Sequence, residues 1–395
     1  MYTYKKKKIE LVQLDAEKAF DKLWRKGLFY KLKNRMDPAY FRILVNYYND
    51  SKIIIRHYNE KSTMIKTIDG VKQGGILSGY LFNFYMNDLI VDCINEDIGC
   101  KIGNQNVSII AYCDDLFIMT SNDFDMNKLL SVVERYGQKW KIKFNPKKCV
   151  NLTLNSKSKK TSNFILNNST LEKVTKLIYL GLPVGNTAYL KEYWDQKINK
   201  TIKSFYGLNN IGCKSKTMSP RIMTQIYRIY CQPIMCYGLE ILHINKTKVE
   251  ELDSMQAQLI KNNIGLSKFA RTTPLLNALC IESISQLYHK YKILFLKQIN
   301  RVLVTKTIFE FLIQNTTHEN YNKNSFISQI RATNNLIEQN IFSTKYSNSI
   351  TELKAIYNNT NSEVILKIIE TCDQMNDQET RNVYRNILAE LLKNN

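Results

Sequence analysis

Two adjacent aspartates, Asp114 and Asp115, sit in the run Ser108-Ile-Ile-Ala-Tyr-Cys-Asp-Asp-Leu-Phe-Ile-Met119, with apolar residues on both sides. Such a run reads as strand, turn, strand, with two carboxylates at the bend. Neighbouring like charges repel, and apolar flanks carry them towards a desolvated place. A divalent cation removes the conflict. Carboxylate oxygens are hard ligands, and Mg²⁺ prefers a few carboxylates together with substrate phosphates. The pair therefore suggests phosphoryl transfer, set against the plainer reading of an Asp-Asp turn in an ordinary hairpin. A third carboxylate, Asp15, closes the β-prone stretch Ile9-Glu-Leu-Val-Gln-Leu-Asp15. It would join the pair if the two strands are neighbours.

These carboxylates need a sheet to bring them together. The pattern predicts a strand over 9–15, helices at about 25–35 and 39–49 with Asp37-Pro38 between them, and a hairpin of 52–58 with 63–68 around Asn59-Glu60. The run Asp69-Gly-Val-Lys-Gln-Gly-Gly75 then leads into a helix over roughly 77–95. Its glycines, with Gly79, let backbone approach something bulky. The Asp-Asp hairpin spans about 106–120, a helix follows at 125–140, and shorter β-prone pieces fall at 149–155, 163–166 and 174–184. This is an α+β pattern, an antiparallel sheet covered by helices. Beyond residue 187 the strands give way to helical patterns around 189–209, 217–231 and 246–264, punctuated by Pro220, Pro233 and Pro274.

In this order the segments resemble the palm of reverse transcriptases, most closely those of non-LTR (LINE-type) retrotransposons. Asp15 to Asp21 resembles motif A, Gly70 to Leu89 motif B, and Tyr112-Cys-Asp-Asp115 motif C. Lys143-Phe-Asn-Pro-Lys-Lys-Cys149 resembles motif D, and Tyr179-Leu-Gly-Leu-Pro183 the start of motif E. Cys231-Gln-Pro-Ile-Met-Cys-Tyr-Gly238 is similar to a segment often found downstream. Gly79 stands where the family usually has proline, Gly75 where a small polar residue is common, and Cys113 where alanine is more usual.

The resemblance implies a polymerase palm over 1–186, a helical thumb-like region over 187–300 and a helical C-terminal region over 301–395 whose role it does not specify. It implies an RNA-directed DNA polymerase using two Mg²⁺ ions, with Mn²⁺ as a substitute. Asp15 and Asp114 would be the main metal ligands. Asp115 would support them electrostatically or bind one ion weakly, and Ala16 would lend a backbone carbonyl. Asp21 reads as structural. Phe20 stands at the family's aromatic gate against a 2′-hydroxyl, with core packing as its plain alternative. Phe20 and Tyr112 together favour DNA synthesis. Gln73 and Gly74 would contact the nucleotide or the template base. Lys148 resembles the lysine that protonates the leaving pyrophosphate, with Lys143 and Lys147 as competitors and a solvated surface lysine as the alternative. Leu180 and Gly181 resemble the turn that positions the primer. The implied partners are an RNA template, a DNA primer and deoxynucleoside triphosphates; no protein partner is read.

Only fourteen residues precede Asp15, where the family carries a fingers region, and residues 5–8 read as a solvated basic arm. The expectation is the downstream part of a retrotransposon protein, with weak or no polymerase activity alone. The competing readings are a non-catalytic nucleic-acid-binding protein derived from such an enzyme, or another palm polymerase such as a group II intron maturase.

Bulk properties agree with this frame. A chain of 395 residues with 44% hydrophobic residues suffices for two or three domains. The net charge of +21 fits a polyanionic partner, although an AT-rich coding bias towards lysine accounts for part of it. Lys200, Lys203, Lys214, Lys216, Arg221 and Arg228 suit duplex phosphates. No apolar run is long enough to span a bilayer, and no secretion signal is visible. The nine cysteines fall at irregular spacing without a Cys-x-x-Cys, which predicts reduced thiols, no zinc site and an intracellular protein, nuclear or cytoplasmic.

Overall fold

The computed structural model describes residues 8–155, 162–213 and 218–314, together with Phe326, Ser328 and Gln329. Most of the 301–395 region and Lys5 to Lys7 lie outside the described residues. The chain divides into two compact units, Met1–Asn186 and Thr187–Asn395.

The first unit is built on a five-stranded sheet. Its spatial order is Glu172–Val174, Val150–Leu154, Ile9–Asp15, Asp115–Thr120 and Ile109–Tyr112. All neighbours are antiparallel except the pair Val150–Leu154 and Glu172–Val174. Ile9–Asp15 is the central strand, so both of its faces must be covered, and its first four residues are all buried. Alternation sorts them. Val12 and Leu14 join Leu116, Ile118 and Ile109 in a core shared with Phe82, Tyr85 and Met86 of helix Ser78–Asn95 and with Met126, Leu129 and Val133 of helix Asp123–Trp140. Ile9 and Leu11 join Phe117, Leu152 and Leu177 on the other face, under the hairpin of Leu177–Tyr179 and Leu182–Val184.

Local chemistry sets the helix starts. Asp37 accepts the amide of Ala39 at 2.8 Å with Pro38 in the first turn, so helix Pro38–Asn49 begins where the Asp-Pro break predicts. Asn122 caps Asp123–Trp140 by accepting the amide of Asp125 at 2.8 Å, and two aspartates occupy its first turn. The hairpin expected over 52–68 is two short ladders, Lys52–Ile53 with Ile65–Lys66 and Arg56–His57 with Glu60–Lys61. Lys8 departs from the solvated arm expected for it. Its ammonium lies 2.7 Å from fully buried Glu10 and 2.6 Å from Asp123, because a carboxylate inside the sheet needs a partner.

The second unit is helical. Thr187–Gly207, Pro220–Ile226 and Lys246–Ile264 follow the predicted patterns, and Thr272–Ala278, Ile284–Arg301 and Leu303–Gln314 extend them. Residues Tyr227–Cys231 form a π-helical turn just ahead of helix Gln232–Cys236, where Pro233 has no N–H to continue the ladder. Among the basic residues singled out above, Lys200, Lys203, Arg221 and Arg228 are exposed, while Lys214 and Lys216 lie outside the described residues. Among the described residues no helix is long and apolar enough to cross a membrane.

Candidate active site

The sheet brings the distant carboxylates together. Asp15, the last residue of the central strand, pairs across with Asp115, and Asp115 pairs with Tyr112 around the two-residue turn Cys113-Asp114. Directly opposed side chains share a face, with Cβ atoms about 4.5–5.5 Å apart. Alternation from Leu11 and Phe117 puts Asp15 and Asp115 on the face away from the two long helices. Burial first, then Asp114, then Asp15, push the Asp115 carboxyl above the ordinary carboxylate range. Like charge is therefore concentrated at the sheet's end, and among the described residues neither Asp114 nor Asp115 has an ion-pair partner.

This donor set fits a hard cation. Among the described residues no group of three or more His, Cys, Asp and Glu forms a ready-made metal cage. Mg²⁺ does not require one, since one or two carboxylates and substrate phosphates complete its shell. Asp15 and Asp115, with Asp114 one residue away in the turn, supply that share.

Backbone contacts fix Asp15. Its carbonyl accepts the Asn145 amide at 2.9 Å, and its own amide reaches the Cys149 sulfur at 3.3 Å. Ala16, buried, bridges to Phe144, and the Glu17 amide donates to the Lys143 carbonyl at 2.7 Å. This strapping places the Lys148 ammonium 3.6 Å from the Asp15 carboxylate. On the other side, the Tyr179 hydroxyl donates to the Asp115 carbonyl at 3.3 Å, and its ring stacks on Phe117 at 4.7 Å. Tyr179 thereby ties the Leu180-Gly181 turn to the carboxylate strand. Both turn residues have positive φ, +48° and +75°, the signature of a type I′ hairpin turn.

The glycine loop is closed onto the motif A turn. Gly70 and Val71 amides donate to the carbonyls of Leu23 and Phe20 at 2.8 and 2.7 Å, and Gln73 donates to the Asp21 carboxylate at 3.0 Å. Gln73 and Gly74 are exposed, and Tyr112 is 64% exposed. Phe20 is half-buried and stacks on Phe82 with ring centroids 5.1 Å apart. The ring is thus packed on Phe82 and still partly exposed. Arg25, buried, donates to the carbonyls of Gly70, Tyr48 and Thr67 at 2.7–2.8 Å and holds the loop from behind. A cavity of about 680 Å³ opens beside the turn, with Ala16, Ala19 and Phe82 in its wall and Lys22, Lys26, Lys141 and Lys143 around it.

Sequence reasoning missed Cys149, Asn145, Tyr179 and Arg25 as supports. Cys149 and Asn145 lay inside a recognised motif but act through backbone or sulfur contacts that residue type does not announce. Arg25 stands between Trp24 and Lys26 in a largely polar stretch, so its sequence gives no signal of burial.

A sheet carrying paired carboxylates on one face and helices on the other, with a glycine loop and a tight hairpin at its edges, defines a palm-type polymerase fold. Residues 2–184 match the model of the reverse transcriptase (RNA-dependent DNA polymerase) family. The chain is 21% identical over 266 residues to the RNA-directed DNA polymerase from mobile element jockey of Drosophila funebris, covering 66% of this chain and 29% of that protein. It is 28% identical over 142 residues to the Pol polyprotein from the type-1 retrotransposable element R2 of Nasonia vitripennis, covering 36% of this chain and 14% of that one. The chain thus spans less than a third of these non-LTR retrotransposon relatives. Among solved structures it is similar to apo telomerase from Candida tropicalis, 14% identical with a TM-score of 0.34, over 46% of this chain and 36% of that one.

Proposed function

We propose that this chain carries the palm and thumb of a non-LTR retrotransposon RNA-directed DNA polymerase, extending a DNA primer on an RNA template with deoxynucleoside triphosphates inside the cell. The observation that carries this reading is the register of Asp15 against Asp115, with Asp114 beside Asp115 in the turn. Two divalent ions, Mg²⁺ or Mn²⁺, would stabilise the attacking and leaving oxygens. The chain's own residues would do the rest. Asp15, Asp114 and Asp115 hold the ions, with the Ala16 carbonyl beside them. Phe20, steadied by Phe82, excludes a 2′-hydroxyl. Gln73, oriented by Asp21, meets the nucleotide or template base together with Gly74, and Tyr112 flanks the same site. The Leu180-Gly181 turn, fastened through Tyr179, supports the primer strand. Lys148 donates its proton to the leaving pyrophosphate. Residues 1–186 form the palm, and the exposed Lys200, Lys203, Arg221 and Arg228 of the 187–300 thumb take up duplex phosphates.

Primer extension on an RNA template, with Mg²⁺ and deoxynucleotides, tests this using the full chain beside Asp115→Asn. Extension by the wild type should fall by roughly two orders of magnitude in the variant, the scale of losing one electrostatic stabiliser. Equal extension by both would remove the carboxylates from the chemistry. Duplex binding without extension by either would replace catalysis with nucleic-acid binding as the function.

A further inference from the structure

The loop of residues 143–149 is held against Asp15 more firmly than a mobile proton donor requires. Two backbone hydrogen bonds fasten it, Asn145 N–H to the Asp15 carbonyl and Glu17 N–H to the Lys143 carbonyl, which together make the Ala16–Phe144 bridge. Cys149, buried, takes the Asp15 amide from the far side. With both ends of the loop fixed, the Lys148 stem starts from a set place, and its ammonium rests 3.6 Å from the Asp15 carboxylate. Lys147 also projects from this loop, but among the described ion pairs only Lys148 reaches Asp15.

We propose that Lys148 is the built-in counter-ion of Asp15, seated where a divalent cation's charge is needed and displaced when the cation binds. This rests on the metal-site reading above and adds an order of events to it. Of the three carboxylates at the sheet's end, only Asp15 has an ammonium beside it among the described ion pairs, that of Lys148. An incoming metal competes with that ammonium for Asp15, and its arrival frees Lys148 to turn towards a substrate phosphate. Before the metal binds, the ammonium offsets part of the Asp15 charge; afterwards it is a second mobile cation beside the reacting groups. Exposure limits the strength of the contact, since the Lys148 side chain is 65% exposed and that of Asp15 33%. An ion pair of that kind is worth up to about 1 kcal/mol, which converts to a change in metal affinity of up to roughly fivefold.

Mn²⁺ binding to the full chain, read from loss of the free-ion electron paramagnetic resonance signal without nucleotide or nucleic acid, tests this. Lys148→Ala should bind Mn²⁺ about three- to fivefold more tightly than the wild type. Lys148→Arg should return to the wild-type value, and Lys147→Ala, which removes the same charge one residue away, should change affinity less than Lys148→Ala. Equal affinity for the wild type and Lys148→Ala, or equal gains from Lys147→Ala and Lys148→Ala, would overturn the counter-ion role while leaving the metal site standing. Failure of every variant to bind Mn²⁺, with Asp15→Asn indistinguishable from wild type, would remove the metal-site reading and the counter-ion with it.

Discussion

Gly70 is the position where a single added carbon should do most harm near the site. Its φ is +83°, and a Cβ there would lie 2.4 Å from the Asp21 carbonyl oxygen and 2.9 Å from that of Phe20. Both are backbone atoms, so no rotamer change relieves the overlap. The loop cannot drift away without breaking the Gly70–Leu23 and Val71–Phe20 backbone bonds and the Arg25 contact to the Gly70 carbonyl. Alanine in the left-handed region costs about 1–2 kcal/mol. Forcing a methyl against packed backbone adds about 1–3 kcal/mol. Gly70→Ala should therefore destabilise by about 2–5 kcal/mol. Gly74 is the internal control, since its φ is +73° but its Cβ would meet open space. Gly74→Ala should show only the conformational part, about 1–2 kcal/mol. Urea unfolding followed by tryptophan fluorescence reads both variants, because Trp24 and Trp140 report on the first unit. If the two midpoints shift equally, the loop does not press on the motif A turn as described.

Leu180→Asn should stabilise the Leu180-Gly181 turn by about 1 kcal/mol, because asparagine tolerates the left-handed conformation that leucine resists. Thermal melting checks this, and extension assays then show whether the leucine side chain serves the primer. Asp115→Asn should raise the melting temperature without metal, since burial and the two neighbouring aspartates disfavour its charge. Its pKa is raised in the fold, so wild-type stability should fall as pH rises from the unfolded value through the raised folded one, and the variant should lack that fall. Mg²⁺ should raise the melting temperature of the wild type and much less that of the variant. Lys292 is fully buried, donates to the Glu240 and Leu242 carbonyls at 3.0 Å, and burial lowers its pKa to about 7. The unfolded chain keeps that proton up to about 10.5, so the second unit should gain stability between pH 7 and 10.5, at up to about 1.4 kcal/mol per pH unit. Lys292→Met should flatten that slope in melts followed across pH.

The positions of Asp15, Asp114 and Asp115 were legible because their flanks alternate and because motif order constrains which strands meet. Helix Lys246–Ile264 and the Asp37-Pro38 break follow from periodicity and capping in the same way. Register was not legible: the motifs imply Asp15 and Asp114 as the main metal ligands without saying which residue lies across from Asp15, and the pairing sets Asp115 directly opposite with Asp114 in the turn. A one-residue difference of that kind depends on where the turn closes, and here it closes on Cys113 at φ +52°, a conformation cysteine does not advertise. The ion pairs of Lys8 were hidden for a related reason. A run of lysines looks solvated until the sheet buries Glu10 beside its last member.

The backbone itself distinguishes this region from the rest of the chain. Among the described residues, ten without glycine's freedom have positive φ, and four of them are Asn or Asp, which tolerate it. Of the other six, Lys18 lies in the motif A turn, Cys113 in the carboxylate turn, Lys141 at the helix end before the 143–149 loop and Leu180 in the hairpin turn. Each costs of order 1 kcal/mol, and such strain persists only where surrounding structure over-determines it. The over-determination is visible: Val12, Leu14, Leu116 and Ile118 are fully buried beneath the carboxylates, and Phe117 and Tyr179 clamp the opposite face. Like-charge crowding and strained turns thus fall on the same few segments, above the best-packed part of the sheet. A surface under selection for stability alone would have relaxed them, with asparagine or glycine in the turns and one aspartate exchanged. Their coincidence at the end of the central strand supports a site whose charges are meant to be neutralised by something that binds there.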